Sequence, residues 1–300
     1  MLIKKPKNFN FISTVYSHGW YELDPFLLNE DKFELATVFS QVGSQTPVYV
    51  TIRETEKNLK VEFSHAKPNQ KNKKEIAGIV RHVLRLDDDM GEFYGLIEDE
   101  NEFAWIAENR AGRLMRSQTV FEDLIKSICT TNCSWALTKN MVSNLVEKLG
   151  KETLGGEKAF PTPEAMAGAN EDFYRDKVRA GYRSPYFAEV AREVADEKID
   201  PEEWLLGDLP TDQLKKEIKK VKGVGDYAAE NLLKLVGRYD GLALDSWLRS
   251  EFYKKHNGGN SCSDKNINKF YSRFGDWKGL VIWFDMAKRF LQNDRETDPD

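Results

Sequence analysis

The stretch VKGVGDYAAENLLKLVGRYDGLALDSW, residues 221–247, decides how this chain is read. Gly223 and Gly225 interrupt a lysine-rich helical pattern and open an apolar one. Ile218 and Val221 are spaced to anchor the first helix, and Ala229 and Leu232 the second. Glycine permits positive φ and leaves no Cβ to block a close neighbour. The N–H groups that open the second helix then point outward, with the positive end of its dipole behind them. Such a turn can grip a phosphate without a basic side chain. A plain connection with glycine capping the first helix fits the same residues. Downstream, Asp245 is a single carboxylate among Leu242, Ala243, Leu244 and Trp247. On its own it reads as the N-cap of the helix SWLRSEFY.

The chain has 300 residues, 40% of them apolar, enough for one large domain or two modest ones. Charged residues of both signs make up 31%, as in an ordinary soluble protein. The net charge of −5 argues mildly against nucleic acid, since phosphate contacts need basic side chains. Net charge does not describe a local field, however. Lys215, Lys216, Lys219, Lys220 and Lys222 cluster just ahead of the glycine turn, although a solvated helix face accounts for them equally. No apolar run approaches the roughly 18 residues of a membrane span. The start, MLIKKPKNFNFIS, has no apolar signal core, so an intracellular, cytoplasmic address is expected. The three cysteines, Cys129, Cys133 and Cys262, are too few and too scattered for a disulfide framework or a metal cluster. They read as ordinary thiols, and no metal site is expected.

The spacing predicts an α+β chain. Residues 1–112 read as an N-terminal antiparallel sheet domain with helices. PVYVTIRE (47–54) and LKVEFSH (59–65) alternate apolar and polar residues across a polar turn, a hairpin signature. GEFYGLIE (91–98) reads as a further short strand, and EIAGIVRHVLRL (75–86) as a helix lying on the sheet. Residues 113–292 read as an all-α body. Ser117 or Thr119, Thr162 and Ser184 are N-cap candidates, with Pro163 and Pro185 at first helical positions. Gly150 is a candidate C-cap. The acidic tail NDRETDPD, residues 293–300, reads as disordered.

The hairpin and its following aspartate resemble the helix-hairpin-helix (HhH-GPD) DNA glycosylase superfamily. Three more blocks match in order: SHGWYELDPF, FEDLIKSICTTNCS, and FPTPEAMAGA followed by AGYRSPY. Together they resemble the 3-methyladenine DNA glycosylase 2 and 8-oxoguanine DNA glycosylase branches over nearly the whole chain. The resemblance implies a glycosylase that acts on double-stranded DNA containing a damaged base. Residues Val221, Lys222, Gly223, Val224, Gly225 and Asp226 would hold the DNA backbone. Asp245 would stabilise the sugar cation and direct water. Tyr182 would wedge into the stack, Arg183 would contact the orphaned base, and Asn132 would fill the vacated space. Without the resemblance, Tyr182 reads as a packed aromatic and Asn132 as a turn residue.

The departures carry information too. Bifunctional relatives carry a Schiff-base lysine two residues after the second hairpin glycine, where this chain has Tyr227. A monofunctional enzyme without lyase activity is therefore expected. Cys262 alone follows Cys133, so the four-cysteine iron–sulfur loop of some relatives cannot be built. No cofactor is expected beyond a monovalent cation on the hairpin carbonyls, and the enzyme is expected to be a monomer. Leu137 stands where the 8-oxoguanine branch has a second orphan-base arginine, Gly279 at its guanine-reading glutamine, and Trp283 at its stacking phenylalanine. Tyr227, Trp247 and Trp283 are expected to line the base pocket, with core packing the alternative for both tryptophans. A pocket that stacks without reading an edge suits cationic alkylpurines. The rival readings are an 8-oxoguanine or mismatch-specific glycosylase, a non-catalytic binder of DNA lesions, and a protein-interaction module.

Overall fold

A computed structural model describes residues 1–40, 46–65 and 67–291, with side chains through 288. The tail at 293–300 lies outside the described residues. The chain opens with β1 (Leu2–Lys4), α1 (Phe11–Val15), β2 (Leu27–Asn29), β3 (Glu34–Phe39), β4 (Val48–Glu54) and β5 (Asn58–Ser64). The five strands form one antiparallel sheet in the order β1-β5-β4-β3-β2. The anticipated hairpin is β4–β5, with Val50 opposite Phe63 and Ile52 opposite Val61. Its turn closes when Thr55 Oγ1 accepts from the Asn58 N–H at 3.2 Å and donates to the Asn58 carbonyl at 2.7 Å.

Helices follow: α2 (Gln70–Val83), α3 (Gly91–Ile97), α4 (Ala104–Glu108), α5 (Val120–Thr130) and α6 (Trp135–Leu149). The segment read as a strand at 91–98 is α3 instead. Its apolar residues fit both periods, and the structure buries the i, i+4 pair Phe93 and Ile97 while leaving Leu96 exposed. Thr119 caps α5, its hydroxyl accepting from the Glu122 N–H at 3.1 Å. Every residue from Val120 to Cys129 is buried, including Glu122, Asp123 and Lys126. Lys126 Nζ donates to Glu122 Oε1 at 2.7 Å, and Asp123 Oδ1 accepts from Trp20 Nε1 at 2.7 Å and the Ser117 N–H at 2.9 Å. The Lys126–Glu122 pair one turn apart and the hydrogen bonds to Asp123 let the helix sink completely.

Next come α7 (Pro163–Ala167), α8 (Glu171–Phe173), α9 (Ser184–Ala195), α10 (Glu203–Leu206), α11 (Thr211–Ile218), α12 (Asp226–Leu235), α13 (Ser246–His256), α14 (Asp264–Tyr271) and α15 (Lys278–Leu291). Thr162 and Pro163 open α7 as expected. Ser184 does not cap α9. A 3-10 turn at Gly181–Arg183 feeds the helix directly, so Ser184 is already helical and its hydroxyl donates back to the Gly181 carbonyl at 2.7 Å. No helix among the described residues is long and apolar enough to cross a membrane.

The buried residues of sheet and helices form one connected core. Two buried arginines tie α12 into it. Arg85 Nη1 donates to the Lys234 and Leu235 carbonyls at 3.2 and 3.1 Å, and Arg116 Nε also donates to Leu235. Cations at a helix C-terminus satisfy its last carbonyls and oppose its dipole. This end of α12 is therefore locked, and its N-terminal end carries the glycine turn.

Candidate active site

The turn between α11 and α12 needs its first glycine on two counts. Gly223 has φ +88°, and a Cβ there would stand 2.6 Å from Tyr186 Cδ2. Gly225 is the N-cap of α12, with no capping side chain, and a Cβ on it would meet only open space. The first N–H groups of α12 are thus not taken by a cap. Where the turn holds a DNA phosphate, as the resemblance implies, Gly223→Ala is expected to distort it and weaken duplex binding by roughly tenfold, about 1.4 kcal/mol. Fluorescence anisotropy with an abasic-site duplex, beside a thermal melt, measures this.

The lysine cluster is not a free positive patch. Lys215 meets Glu230 at 2.5 Å and Asp226 at 3.3 Å, Lys219 meets Asp226 at 3.0 Å, and Lys220 meets Glu217 at 2.6 Å. Lys222 pairs with Glu189, and Lys216 with Asp212 at 3.8 Å. The carboxylate of Asp226 is therefore engaged by lysines, which leaves its backbone N–H as the group suited to an anion. Exposed pairs of this kind are worth little and exchange partners easily.

The hairpin and the aspartate open onto one groove. A 560 Å³ cleft is lined by Gly223, Gly225, Asn132, Tyr182, Tyr227 and Asp245. A second cavity, of 490 Å³, adjoins it among Tyr227, Asn231, Lys234, Asp245, Trp247 and Trp283. Tyr227 and Asp245 line both spaces, so the carboxylate stands at their junction.

Asp245 combines two positions that seemed alternatives. Its Oδ1 accepts from the Leu248 N–H at 2.7 Å and caps α13. The Tyr227 phenol lines the same two spaces. Burial and the Asp245 charge push Tyr227 up to about 12, so the phenol stays protonated.

The segment before Asp245 is held by α12. Glu230 Oε2 accepts from the Ala243 N–H at 2.5 Å, and Lys234 Nζ donates to the Leu242 carbonyl at 3.2 Å. Between these clamps Ala243 has φ +52°, a conformation that costs a non-glycine residue roughly 1–2 kcal/mol. Glu230→Ala removes one clamp. It is expected to slow turnover by as much as ~100-fold through misplacement of Asp245, with little change in DNA affinity. Single-turnover rates beside an anisotropy titration separate the two effects.

Asn132 is exposed, with φ +47°, in the loop after α5. Tyr182 is 51% exposed, and its hydroxyl donates to the Thr131 carbonyl at 3.2 Å. Both line the outer groove. Arg183, expected at the orphaned base, is only 3% exposed. Its Nε donates to the Ile128 carbonyl at 3.2 Å, and its guanidinium lies 4.4 Å from the Tyr182 ring centre. In this conformation Arg183 supports the loop that carries Asn132 instead of facing a duplex.

Leu137 is partly exposed on α6. A side chain at Gly279 is barred, since a Cβ there would fall 2.0 Å from the Gly241 carbonyl oxygen. The backbone closes over this position, where the resemblance implied a guanine-reading side chain in the 8-oxoguanine branch. Trp247 and Trp283 wall the inner cavity with ring centres 6.1 Å apart and planes at 58°, two tilted walls and not a parallel sandwich. Trp283 Nε1 donates to the Ser17 carbonyl at 2.7 Å, so the N-terminal segment shapes this pocket.

The sequence reading missed Lys234, His18 and Glu230. A signal for the first was present: Tyr227, Asn231 and Lys234 recur at i, i+4, i+7 and share one face of α12. Burial pushes Lys234 down to about 8 against the opposing pull of Glu230 and Asp245. His18 is pushed down to about 4, chiefly by burial, and its Nε2 is 2.6 Å from the Met115 carbonyl. His18 lines the cavity as a neutral ring.

Among the described residues, Glu102, His256 and Asp285 lie close enough together to suit a metal by geometry. Asp285 is already engaged there by Lys255, by His256 Nε2 at 2.7 Å and by the Tyr271 hydroxyl at 2.5 Å. An ammonium on its carboxylate makes this an ion-pair network.

No protein-family model matches the chain. A probable N-glycosylase/DNA lyase of Methanothermobacter thermautotrophicus is 26% identical over 241 residues, 70% of this chain and 74% of that protein. The 3-methyladenine DNA glycosylase of Archaeoglobus fulgidus superposes with a TM-score of 0.78 at 19% identity, covering 97% of this chain and 98% of that one. The Clostridium acetobutylicum 8-oxoguanine glycosylase/lyase, solved with DNA, gives a TM-score of 0.74 at 19% identity, covering 98% of both chains. The fold is shared with those 3-methyladenine and 8-oxoguanine DNA glycosylases, and the sequence is similar to that of the N-glycosylase/DNA lyase.

Proposed function

We propose that this protein is a monofunctional DNA glycosylase, acting as a monomer on double-stranded DNA, that hydrolyses a damaged purine from an extruded nucleotide and leaves an abasic site. The observation that carries this reading is the carboxylate of Asp245 at the junction of an outer groove and an aromatic inner cavity. The hairpin at 221–226 holds the backbone phosphate through its N–H groups, and no step depends on an ion at its carbonyls. A base within a duplex is out of reach, so it is flipped into the inner cavity at a cost of a few kcal/mol. Tyr182 and Asn132, on the groove, are suited to prop the stack open behind it.

Rupture of the N-glycosidic bond builds positive charge on the sugar. A carboxylate about 4 Å away at an effective dielectric near 20 lowers that state by roughly 4 kcal/mol, about a thousandfold in rate. The same carboxylate can orient the attacking water. The Tyr227 phenol, held protonated beside Asp245, supplies no amine for a Schiff base.

The tilted tryptophan walls fit a purine ring. Cationic alkylpurines were the substrate expected from those walls alone. The ammonium of Lys234 shares the cavity, so the choice among purines turns on that residue. Duplexes carrying single lesions test the activity, with products resolved before and after hot alkali. Base release with strand breakage only after alkali is expected. Breakage without alkali, accompanied by borohydride-trapped protein–DNA adduct, would overturn the monofunctional reading. Tight binding to abasic DNA with no base released from any lesion would favour a non-catalytic binder.

A further inference from the structure

Lys234 lies within an apolar helical run, Leu232 to Leu235, with its side chain buried yet lining the inner cavity. An ammonium has three donors. The Leu242 carbonyl, at 3.2 Å, accepts one of them. The Trp283 ring, with its centre 5.6 Å from Nζ, offers a π face. Burying a lysine only to hold one carbonyl is a poor arrangement, because a desolvated cation needs its remaining donors matched. His18 is neutral, so among the described residues that line this cavity Lys234 is the one cationic side chain. Tyr227, seven residues earlier on the same helix face, lines the cavity with Asp245 and Lys234. The Lys234 backbone is about 10 Å further along the helix axis than that of Tyr227, so the two side chains reach different parts of the cavity wall.

We infer that Lys234 selects the base: its ammonium donates to an acceptor on the edge of the flipped purine, so neutral or anionic purines bearing an exocyclic oxygen are preferred over cationic N-alkylated ones. This rests on the glycosylase reading and sharpens it. With a side chain barred at Gly279, the ammonium supplies from α12 the edge contact that no side chain at Gly279 can make. A cationic base meets a like charge inside a low-dielectric space, which works against the attraction of the two tryptophans. An acceptor oxygen instead replaces the water that the lysine has lost.

The test compares wild type with Lys234→Met and Lys234→Gln on duplexes carrying 8-oxoguanine, hypoxanthine or xanthine, and on duplexes carrying 7-methylguanine or 3-methyladenine. Wild type is expected to release at least one oxo-purine ten or more times faster than either cationic base. Lys234→Met should lower that rate at least tenfold and leave release of the cationic bases unchanged or raised. Lys234→Gln, which keeps donors without the charge, should retain part of the oxo-purine rate and guards against loss of the fold. Oxo-purine release by wild type should also fall as the pH rises through about 8, with no such limb in either variant. Glu230, Asp245, Tyr227 and His18 face the same ammonium, so the limb counts only as the difference between wild type and variants. A preference for cationic bases that survives both substitutions overturns the inference and leaves the glycosylase reading standing. Borohydride trapping that is lost in Lys234→Met also overturns it, by making the lysine a nucleophile. If wild type releases no base at all, the glycosylase reading falls and the inference with it.

Discussion

Asp245→Asn is expected to slow base release by about a thousandfold in single turnover, while the protein melts at nearly the wild-type temperature. The two halves follow from the two things the carboxylate supplies, a cap and a charge. Asparagine caps a helix about as well as aspartate, so the hydrogen bond from the Leu248 N–H is preserved. What is removed is the negative charge at the junction of groove and cavity. That charge is worth roughly 4 kcal/mol to a sugar cation about 4 Å away. Affinity for an abasic-site duplex should be unchanged, because the hairpin amides do not touch the substitution. Quenched-flow measurement on the best lesion decides the matter. A rate within about threefold of wild type, for a variant that folds and binds, would leave the mechanism without its carboxylate.

The second large effect is on stability. Asp285→Ala is expected to cost roughly 3–5 kcal/mol, the usual result of removing one partner from a buried ionic network. At this chain length that lowers the melting temperature by about 10 °C. Burial alone would raise the Asp285 carboxyl. Hydrogen bonds from His256, Lys255 and Tyr271 outweigh it and hold the group below its ordinary range. A carboxylate with a depressed folded-state value stabilises fully above the unfolded value, near 4, and loses that contribution as the pH falls through the folded one. Urea melts at neutral and acid pH should therefore show a smaller loss on acidification for the alanine variant than for wild type. Equal losses would mean the network contributes nothing through ionisation. The network also joins α13, whose first turn is capped by Asp245, to α15, which carries Trp283. Lesion release should suffer at temperatures where the variant is still folded.

Local patterning carried much of the fold. The β4–β5 hairpin, the caps at Thr119 and Thr162, and the two helices around Gly223 all follow from signals a few residues wide. The misreadings have physical causes of the same kind. At 91–98 the apolar residues satisfy both periods, and only packing of Phe93 with Ile97 chooses the helix. At Ser184 the sequence has the right residue for a cap, but the chain enters already helical and the hydroxyl turns back to Gly181. In α5 the periodicity marks one apolar face, whereas pairing of Lys126 with Glu122 and of Asp123 with Trp20 buries the other face too.

The site divides along the same line. The sequence by itself determined the glycine turn and the lone carboxylate downstream of it, because turns and caps are local facts; what Tyr227 means there came from the family resemblance. Only the tertiary structure decided that each lysine ahead of the turn meets an acid, that Arg183 folds inward, that the backbone closes over Gly279, and that Lys234 enters the cavity. Each of those depends on contacts between segments far apart in the chain, where desolvation and shape set the outcome and no local period records it.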